Sequence, residues 1–343
     1  MSKRSKVSGS AADAPDELDL ALARLGKTIA ERGESAPEDR PANGPVKSSL
    51  RPAPKGDTQS DFFVPALYDV ATKDSRSIMD VAVFRLSKKE KRIGQTIRYE
   101  LADGFVEVTG GPSRRHKTTN REIGGMASVW DYDIVLMAIS HLTDAMNRYR
   151  AGQGEKPGRV FRPNASEILK FCRRSDGGRQ HEDIEAALLR LTSTVIRVVR
   201  TRPGKGGRPI RADAAEGLLN RYGVLSYADT GKVATLEIEV PNWIYSQVVE
   251  SNNPEVLTVH PSFFLIEPGI GRFLYRLARR AAGRTEARWS FKTVYERSGS
   301  TGTFKMFTFN LRDLIKSDDL PEYHLSEEAG QEGPILAMTY REA

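Results

Sequence analysis

The chain has 343 residues, 39% of them hydrophobic, which is enough to fill the cores of two ordinary domains. Its single cysteine, Cys172, excludes an intramolecular disulfide and a cysteine-rich zinc site, and the longest apolar runs, such as Ile134 to Ile139, are broken by charge well short of a membrane span. A net charge of +7 makes a polyanion the first partner to consider, and no apolar stretch follows Lys3, Arg4 and Lys6 to act as a secretory signal, so a soluble cytoplasmic protein with no membrane partner is expected.

Residues 1–60 hold six of the eighteen prolines with many Ser, Ala and Gly, and they bury too little to offset ordering entropy. They are predicted as a disordered tail, in which Leu18, Leu22, Leu25 and Ile29 have the spacing of a short helix that forms on a partner. Order is predicted from Asp61. Val81, Val83 and Arg85, then Ile97 to Leu101 and Phe105 to Val108, alternate or cluster as strands, with turns at Gly104 and Gly110-Gly111. A helix over Trp130 to Tyr149 puts Ile134, Val135, Ala138, Leu142 and Met146 on one face. An extended piece follows at Val160 to Arg162, then helices at Asn164 to Cys172 and Gln180 to Leu191 around a polar turn at Arg173 to Arg179. Strand-like Val195 to Val199 leads into a Gly/Arg loop, and Gly217 to Val240 reads as a hairpin around Asp229-Thr230-Gly231.

A second unit opens with a helix at Gly269, where Ile270, Phe273, Leu274, Leu277, Ala278 and Ala281 oppose Arg272, Arg276, Arg279 and Arg280. An extended Arg288 to Ser290, a helix over Phe291 to Arg297, the turn Ser298 to Gly302, a helix over Thr303 to Lys316 and strands at Glu322 to Leu325 and Ile335 to Tyr340 complete it. Both units run helix, short basic strand, helix, turn, helix, strand pair. That is the order of a winged helix. The predicted fold is therefore α+β, with a winged-helix domain over residues 61–250, carrying extra N-terminal strands and an extended hairpin, and a second over 251–343.

Charge follows this plan. Residues 151–217 carry fourteen Lys and Arg against eight acids, residues 268–316 eleven against three, and residues 317–343 one against seven. A recognition helix needs an apolar face toward its own domain and an outward face of donors. In the helix from Thr303, Phe307, Leu311, Leu314 and Ile315 form the inner stripe, leaving Lys305, Thr308, Phe309, Arg312 and Lys316 outside. Arg312 is the candidate for a bidentate contact to guanine, and Phe309 either touches a thymine methyl or packs on the wing. The matching helix of the first unit leaves Glu182, Asp183, Glu185 and Arg190 outside, and acids there repel phosphate. Contacts from this unit are expected instead from Arg173, Arg174 and Arg179 and from the loop residues Arg200, Arg202, Lys205, Arg208 and Arg211, as neutralisation of the phosphate backbone.

Catalytic signals are thin. Gly26-Lys27-Thr28 resembles the end of a phosphate loop, but Ala21 stands where the first glycine belongs. The five histidines, His116, His141, His181, His260 and His324, are far apart, and His181 with Glu185 makes two ligands without a third. Gly269-Ile270-Gly271 lacks the later glycine of a dinucleotide fingerprint. No catalytic residue, metal or cofactor is expected.

Four segments carry a resemblance: Phe62-Phe63-Val64-Pro65, Phe84-Arg85-Leu86-Ser87, Thr293 to Ser300 (TVYERSGS) and Phe304 to Lys316 (FKMFTFNLRDLIK). They are similar to the replication initiator protein A family of bacterial plasmids, over about Asp61 to Tyr340, and such initiators share their plan with iteron-binding initiators built from tandem winged helices. The resemblance implies binding to repeats in a plasmid origin, strand opening, and recruitment of a host replication initiator and helicase. It also implies that the helix bearing Lys305, Arg312 and Lys316 enters the major groove, that Ser298, Ser300 and Thr301 approach phosphates, and that the first unit supports a homodimer. The Arg-rich insertion Thr201 to Arg211 departs from the pattern. The expected function is thus a non-enzymatic, origin-binding plasmid initiator. The alternative is a plasmid-borne repressor of the same fold without initiation activity, and the third reading, of a different class, is a DNA-breaking enzyme.

Overall fold

Polar groups near Ser49 find partners at the ends of distant helices, so part of the segment whose composition reads as a tail is packed on the fold. In the computed structural model, which describes residues 48–54, 70–115, 120, 122–176, 178–203, 208–226 and 233–342, Leu50 bridges Ile266 and the Arg51 amide donates to Leu265 O at 2.8 Å. Ser48 Oγ and the Ser49 amide donate to Asp319 at 2.6 and 2.7 Å, and the Arg51 guanidinium donates to the carbonyls of Arg173 and Phe264 at 2.6 and 3.2 Å. This part of the predicted tail is a strap. The rest of the expected tail, its short helix included, lies outside the described residues.

After β1 (Lys73–Ser75), the segment Val81 to Arg85 is not a ladder strand. Ala82, Val83 and Phe84 are all fully buried, so their alternation does not mark a half-exposed strand, and Arg85 makes only a single bridge to Ser128. β2 (Thr96–Leu101) and β3 (Gly104–Thr109) form the expected hairpin. At its turn Gly104 lies so close to the next strand that a Cβ would stand 1.9 Å from Val199 O.

The first repeat begins with α1 (Tyr132–Arg150) and β4 (Val160–Phe161). α2 (Ala165–Phe171) starts with a capping box, in which Asn164 accepts from the Glu167 amide at 2.9 Å and Glu167 accepts from the Asn164 amide at 2.7 Å. α3 (Gly178–Ser193) follows, then β5 (Val195–Pro203) and β6 (Pro209–Gly217), and finally β7 (Arg221–Ser226) and β8 (Val233–Glu239). β4, β8 and β7 form one sheet in that order. The predicted Gly/Arg loop is instead the outer part of the β5–β6 hairpin, in register from Val195 opposite Gly217 to Pro203 opposite Pro209. It extends the first hairpin into a four-stranded sheet ordered β2-β3-β5-β6. Its outer half is solvated on both faces, so it lacks the apolar alternation by which strands are recognised.

A short helix, α4 (Asn242–Tyr245), runs into a π-helical turn, and β9 (Val256–Thr258) pairs antiparallel with β1. The second repeat comprises α5 (Gly269–Ala281), β10 (Glu286–Ser290), α6 (Phe291–Ser298), α7 (Phe304–Ser317), β11 (Tyr323–Gly330) and β12 (Gly333–Tyr340), with sheet order β10-β12-β11. In both repeats three helices combine with a three-stranded sheet whose edge strand lies between the first and second helices and whose last strand lies in the middle.

One continuous core passes through both repeats, within the compact unit Lys47–Ala343. The arginine face of α5 is the reason. The sequence pattern turns Arg272 and Arg276 outward, yet they are 1% and 0% exposed. Arg272 donates to Asp133 of α1 at 2.6 Å and to the carbonyls of Ile266 and Phe264 at 2.8 and 2.7 Å. Arg276 meets Asp74 of β1 at 2.5 Å and lies 4.7 Å from the centre of the Tyr132 ring and 5.0 Å from that of Phe84. One turn further on, Arg280 pairs with Asp80. Residues spaced by four share a helix face, so both long faces of α5 are covered. Gly269 and Gly271 allow this approach: a Cβ at Gly269 would stand 2.1 Å from Leu86 O, and one at Gly271 2.9 Å from Ile266.

Asp133→Ala strands the buried Arg272 charge and also releases Arg174, so it should destabilise the protein by about 3–5 kcal/mol in urea unfolding. Converting the pair to apolar residues, Asp133→Leu with Arg272→Met, should recover much of that loss. A change below about 1 kcal/mol in the single variant would contradict the assignment.

Candidate nucleic-acid interface

The α6–α7 pair is fixed by its caps. Ser290 Oγ accepts from the Thr293 amide at 3.0 Å, and Thr303 Oγ1 accepts from the Met306 amide at 3.3 Å. Between the helices Gly299 takes the left-handed conformation at φ 58°, and a Cβ there would stand 2.4 Å from Tyr99 Oη. The Arg92 guanidinium donates to Gly299 O, so β2 and the segment before it hold this turn. Tyr295 braces the start of α7, packing edge-on against Phe304 and Phe307 at 5.5 and 5.3 Å and donating to Gly302 O at 2.9 Å.

On α7, Phe307, Leu311 and Leu314 point inward as expected, and so does Thr308, which is 9% exposed. Its Oγ1 has no hydrogen-bond partner among the described residues, so Thr308 is not an outward donor. The β-branched side chain lies beside the apolar stripe rather than opposite it. Lys305 and Lys316 are exposed and form no ion pair among the described residues. Arg312 is exposed but held, donating through Nε and Nη2 to Glu327 of β11 at 2.8 and 2.7 Å. That hydrogen bond keeps the Glu327 carboxyl below the ordinary carboxylate range and raises the Arg312 pKa. Arg312 therefore ties α7 to the hairpin and does not stand free for guanine.

The turn offers less to phosphate than its sequence suggests. Ser298 is fully buried, donating to Tyr295 O at 2.7 Å and accepting from the Ser300 amide at 3.1 Å. Ser300 is half-buried, and Thr301 is exposed. Phe309 is outward as expected, 55% exposed, and what sequence reasoning missed is the apolar exposure beside it: Phe304 and Met306 are 41% and 53% exposed. A Phe and a Met in the first turn of an amphipathic helix look like core. Only their angular positions outside the inner stripe distinguish them.

In the first repeat the candidate arginines separate. Arg174 is a structural residue, donating to Asp133 and to Trp130 O at 2.8 and 2.7 Å; burial lowers its pKa, but Asp133 outweighs this and raises it. Arg190, predicted outward, turns in to meet Asp131 at 2.7 and 2.8 Å and holds that buried carboxyl low despite the opposing effect of burial. Arg173, half-buried with φ 52°, ends α2. On the hairpin Arg200 pairs with Asp103, Arg211 lies 3.4 Å from Asp213, and Arg208 is exposed. Lys205 and the side chains of Arg179 and Arg202 lie outside the described residues.

His181 bonds Asp176, His324 bonds Asp318, and no three His, Cys, Asp or Glu side chains among the described residues form a group able to hold a metal. Burial pushes the Cys172 thiol up to about 12. No helix among the described residues is long and apolar enough to cross a membrane.

Comparison with known proteins places this architecture. The sequence model of replication initiator protein A matches residues 73–325, most of the chain. The chain belongs to that family. Among its relatives is a "Putative replication protein" of Wigglesworthia glossinidia brevipalpis, 28% identical over 205 residues, covering 59% of this chain and 70% of the relative. The crystal structure of domains 2 and 3 of RctB resembles this initiator-family chain in fold, with a TM-score of 0.53 at 11% identity, over 78% of this chain and 99% of that one.

The Arg312–Glu327 clamp has a pH signature. Because the Glu327 carboxyl is depressed in the folded chain, the clamp is complete above the unfolded value of about 4.3 and is lost only as pH falls through the lower folded one. The Arg312 Nε–H resonance should stay protected from exchange between about pH 7 and 5, and Glu327→Gln should abolish that protection. Protection lost near pH 6 in the parent chain would refute the clamp.

Proposed function

We propose that the chain is a plasmid replication initiator that binds repeated duplex sequences in a replication origin through two winged helices in tandem, opens the adjacent strands and recruits a host initiator and helicase. Family membership supports the initiator role. The observation that carries the DNA-binding reading is the recurrence of one plan: helix, edge strand, two helices and a hairpin, with the last strand central in both sheets. In winged helices the third helix lies in the major groove, and here α7 has a solvated outer face bearing Lys305 and Lys316.

The two repeats divide the work in this proposal. α7 reads bases, whereas the β5–β6 hairpin, with Arg208 and Arg211 beside Arg202 and Lys205 in its sequence, neutralises backbone phosphate. Its register extends Arg202 and Arg211 to within a few residues of the tip. The chain acts without an active site of its own, in the cytoplasm, and a second copy pairs through the first repeat.

Binding should be measured on the DNA flanking the protein's own coding region, where a footprint over direct repeats would favour an initiator. Raising salt from about 50 to 200 mM should weaken binding by orders of magnitude. Lys305→Ala and Lys316→Ala should each lower the salt slope by about 1 at an unchanged melting temperature. The same fragment should replicate in cells only when the chain is supplied. A salt-independent affinity, or replication without the chain, would overturn the proposal.

A further inference from the structure

Resting on the reading that α7 enters the major groove, we infer that the outer face of this helix reads thymine through its 5-methyl group, with Phe309 as the contacting residue and Met306 beside it. The positions decide it. Lys305, Phe309 and Lys316 are separated by four and seven residues, so all three fall on one side of the helix, with Phe309 in the middle of the exposed arc. Arg312 lies at the margin of that arc and is drawn away to Glu327. Phe309 is the more exposed of the two phenylalanines on the outer surface, at 55%, and it packs against no other ring among the described residues, whereas Phe304 is braced by Tyr295.

An aromatic ring facing water, with the exposed Met306 beside it, has an unfavourable hydration that an apolar partner relieves. In the major groove of B-DNA the apolar group presented by a base edge is the thymine methyl. The flanking charges suit this occupant. Lys305 lies one turn before Phe309 and Lys316 two turns after it on the same side, placed for phosphates along the helix, and two other exposed residues of this face, Asn310 and Asp313, match adenine N6/N7 and cytosine N4 respectively. Packing on the wing, the alternative that its sequence position allowed, leaves Phe309 55% exposed, while Arg312 is the residue that bonds to the hairpin.

The test begins with the full-length chain selecting duplexes from a random pool. Within the enriched sequence each thymine is then replaced by uracil, which removes only the methyl. One buried methyl is worth about 0.8 kcal/mol, or about four-fold in affinity. Replacement at one or two positions should weaken binding by that factor for the parent chain. Phe309→Ala should bind the thymine and uracil duplexes equally well, and Phe309→Leu should retain part of the discrimination. Folding of each variant is checked by its melting temperature, and Met306→Ala provides a second exposed site whose loss should reduce the methyl effect without removing it.

Indifference of the parent chain to every uracil would overturn the inference while leaving groove binding intact. So would full methyl sensitivity in Phe309→Ala. If Phe309→Ala kept that sensitivity and instead shifted the chain from associated species to monomer in sedimentation, the face would belong to a second copy. Enrichment of no duplex at all would instead overturn the groove-binding reading, and the inference with it.

Discussion

Three arginines spaced by four on α5 meet three aspartates from the first half of the chain, and the rest of the architecture depends on those pairings. Arg272 with Asp133 and Arg276 with Asp74 are buried to exclusion of solvent, and Arg280 with Asp80 continues the row toward the surface. A buried guanidinium is tolerable only if paired and hydrogen-bonded, so α5 has little freedom to leave the groove formed by α1 and β1. The β1–β9 pairing and the Phe171–Phe264 contact at 5.3 Å act along the same boundary. The Ser48 to Arg51 strap crosses it again, linking Asp319 to the end of α2. Two repeats that look separable in the chain are in this way one body.

This constraint bears on function through α7. The turn before α7 is held by Arg92 and fits against Tyr99, and its far side is tied to β11 by Arg312. A helix held on both flanks presents its outer face in a fixed orientation, which reduces the ordering that binding would otherwise require. It also sets the angle between α7 and the β5–β6 hairpin, since that hairpin belongs to the same sheet as β2. The spacing between α7 and this hairpin is then a property of the fold and not of a linker.

The secondary structure of the second half was legible because its signals agree: Thr303 as a cap, Gly299 at the helix end, and a period near 3.6 in Phe307, Leu311 and Leu314. The recurrence of the plan was legible too, since the short strands beside Val160 and Trp289 occupy the same place in both sheets. Burial of charge was not. A helix with arginines opposite its apolar stripe reads as amphipathic, and only the distant Asp133 and Asp74 reveal that both faces are covered. For the same reason Arg174 and Arg312 looked free for DNA, and Arg190 looked solvated, when their partners were aspartates and a glutamate elsewhere in the chain. Ser298 was misjudged locally: its hydroxyl satisfies the end of its own helix. The β5–β6 hairpin was hidden because solvated strands lack alternation, and the strap because seven ordered residues do not change the composition of sixty.

The central claim is that the buried arginine row makes the two repeats a single cooperative unit, and differential scanning calorimetry of the full chain tests it most directly. One endotherm whose calorimetric enthalpy equals its van't Hoff enthalpy is expected, with Asp133→Ala lowering the melting temperature of the whole transition. Two resolved endotherms in the parent chain, only one of them moved by Asp133→Ala, would show that the repeats unfold independently and would contradict the account.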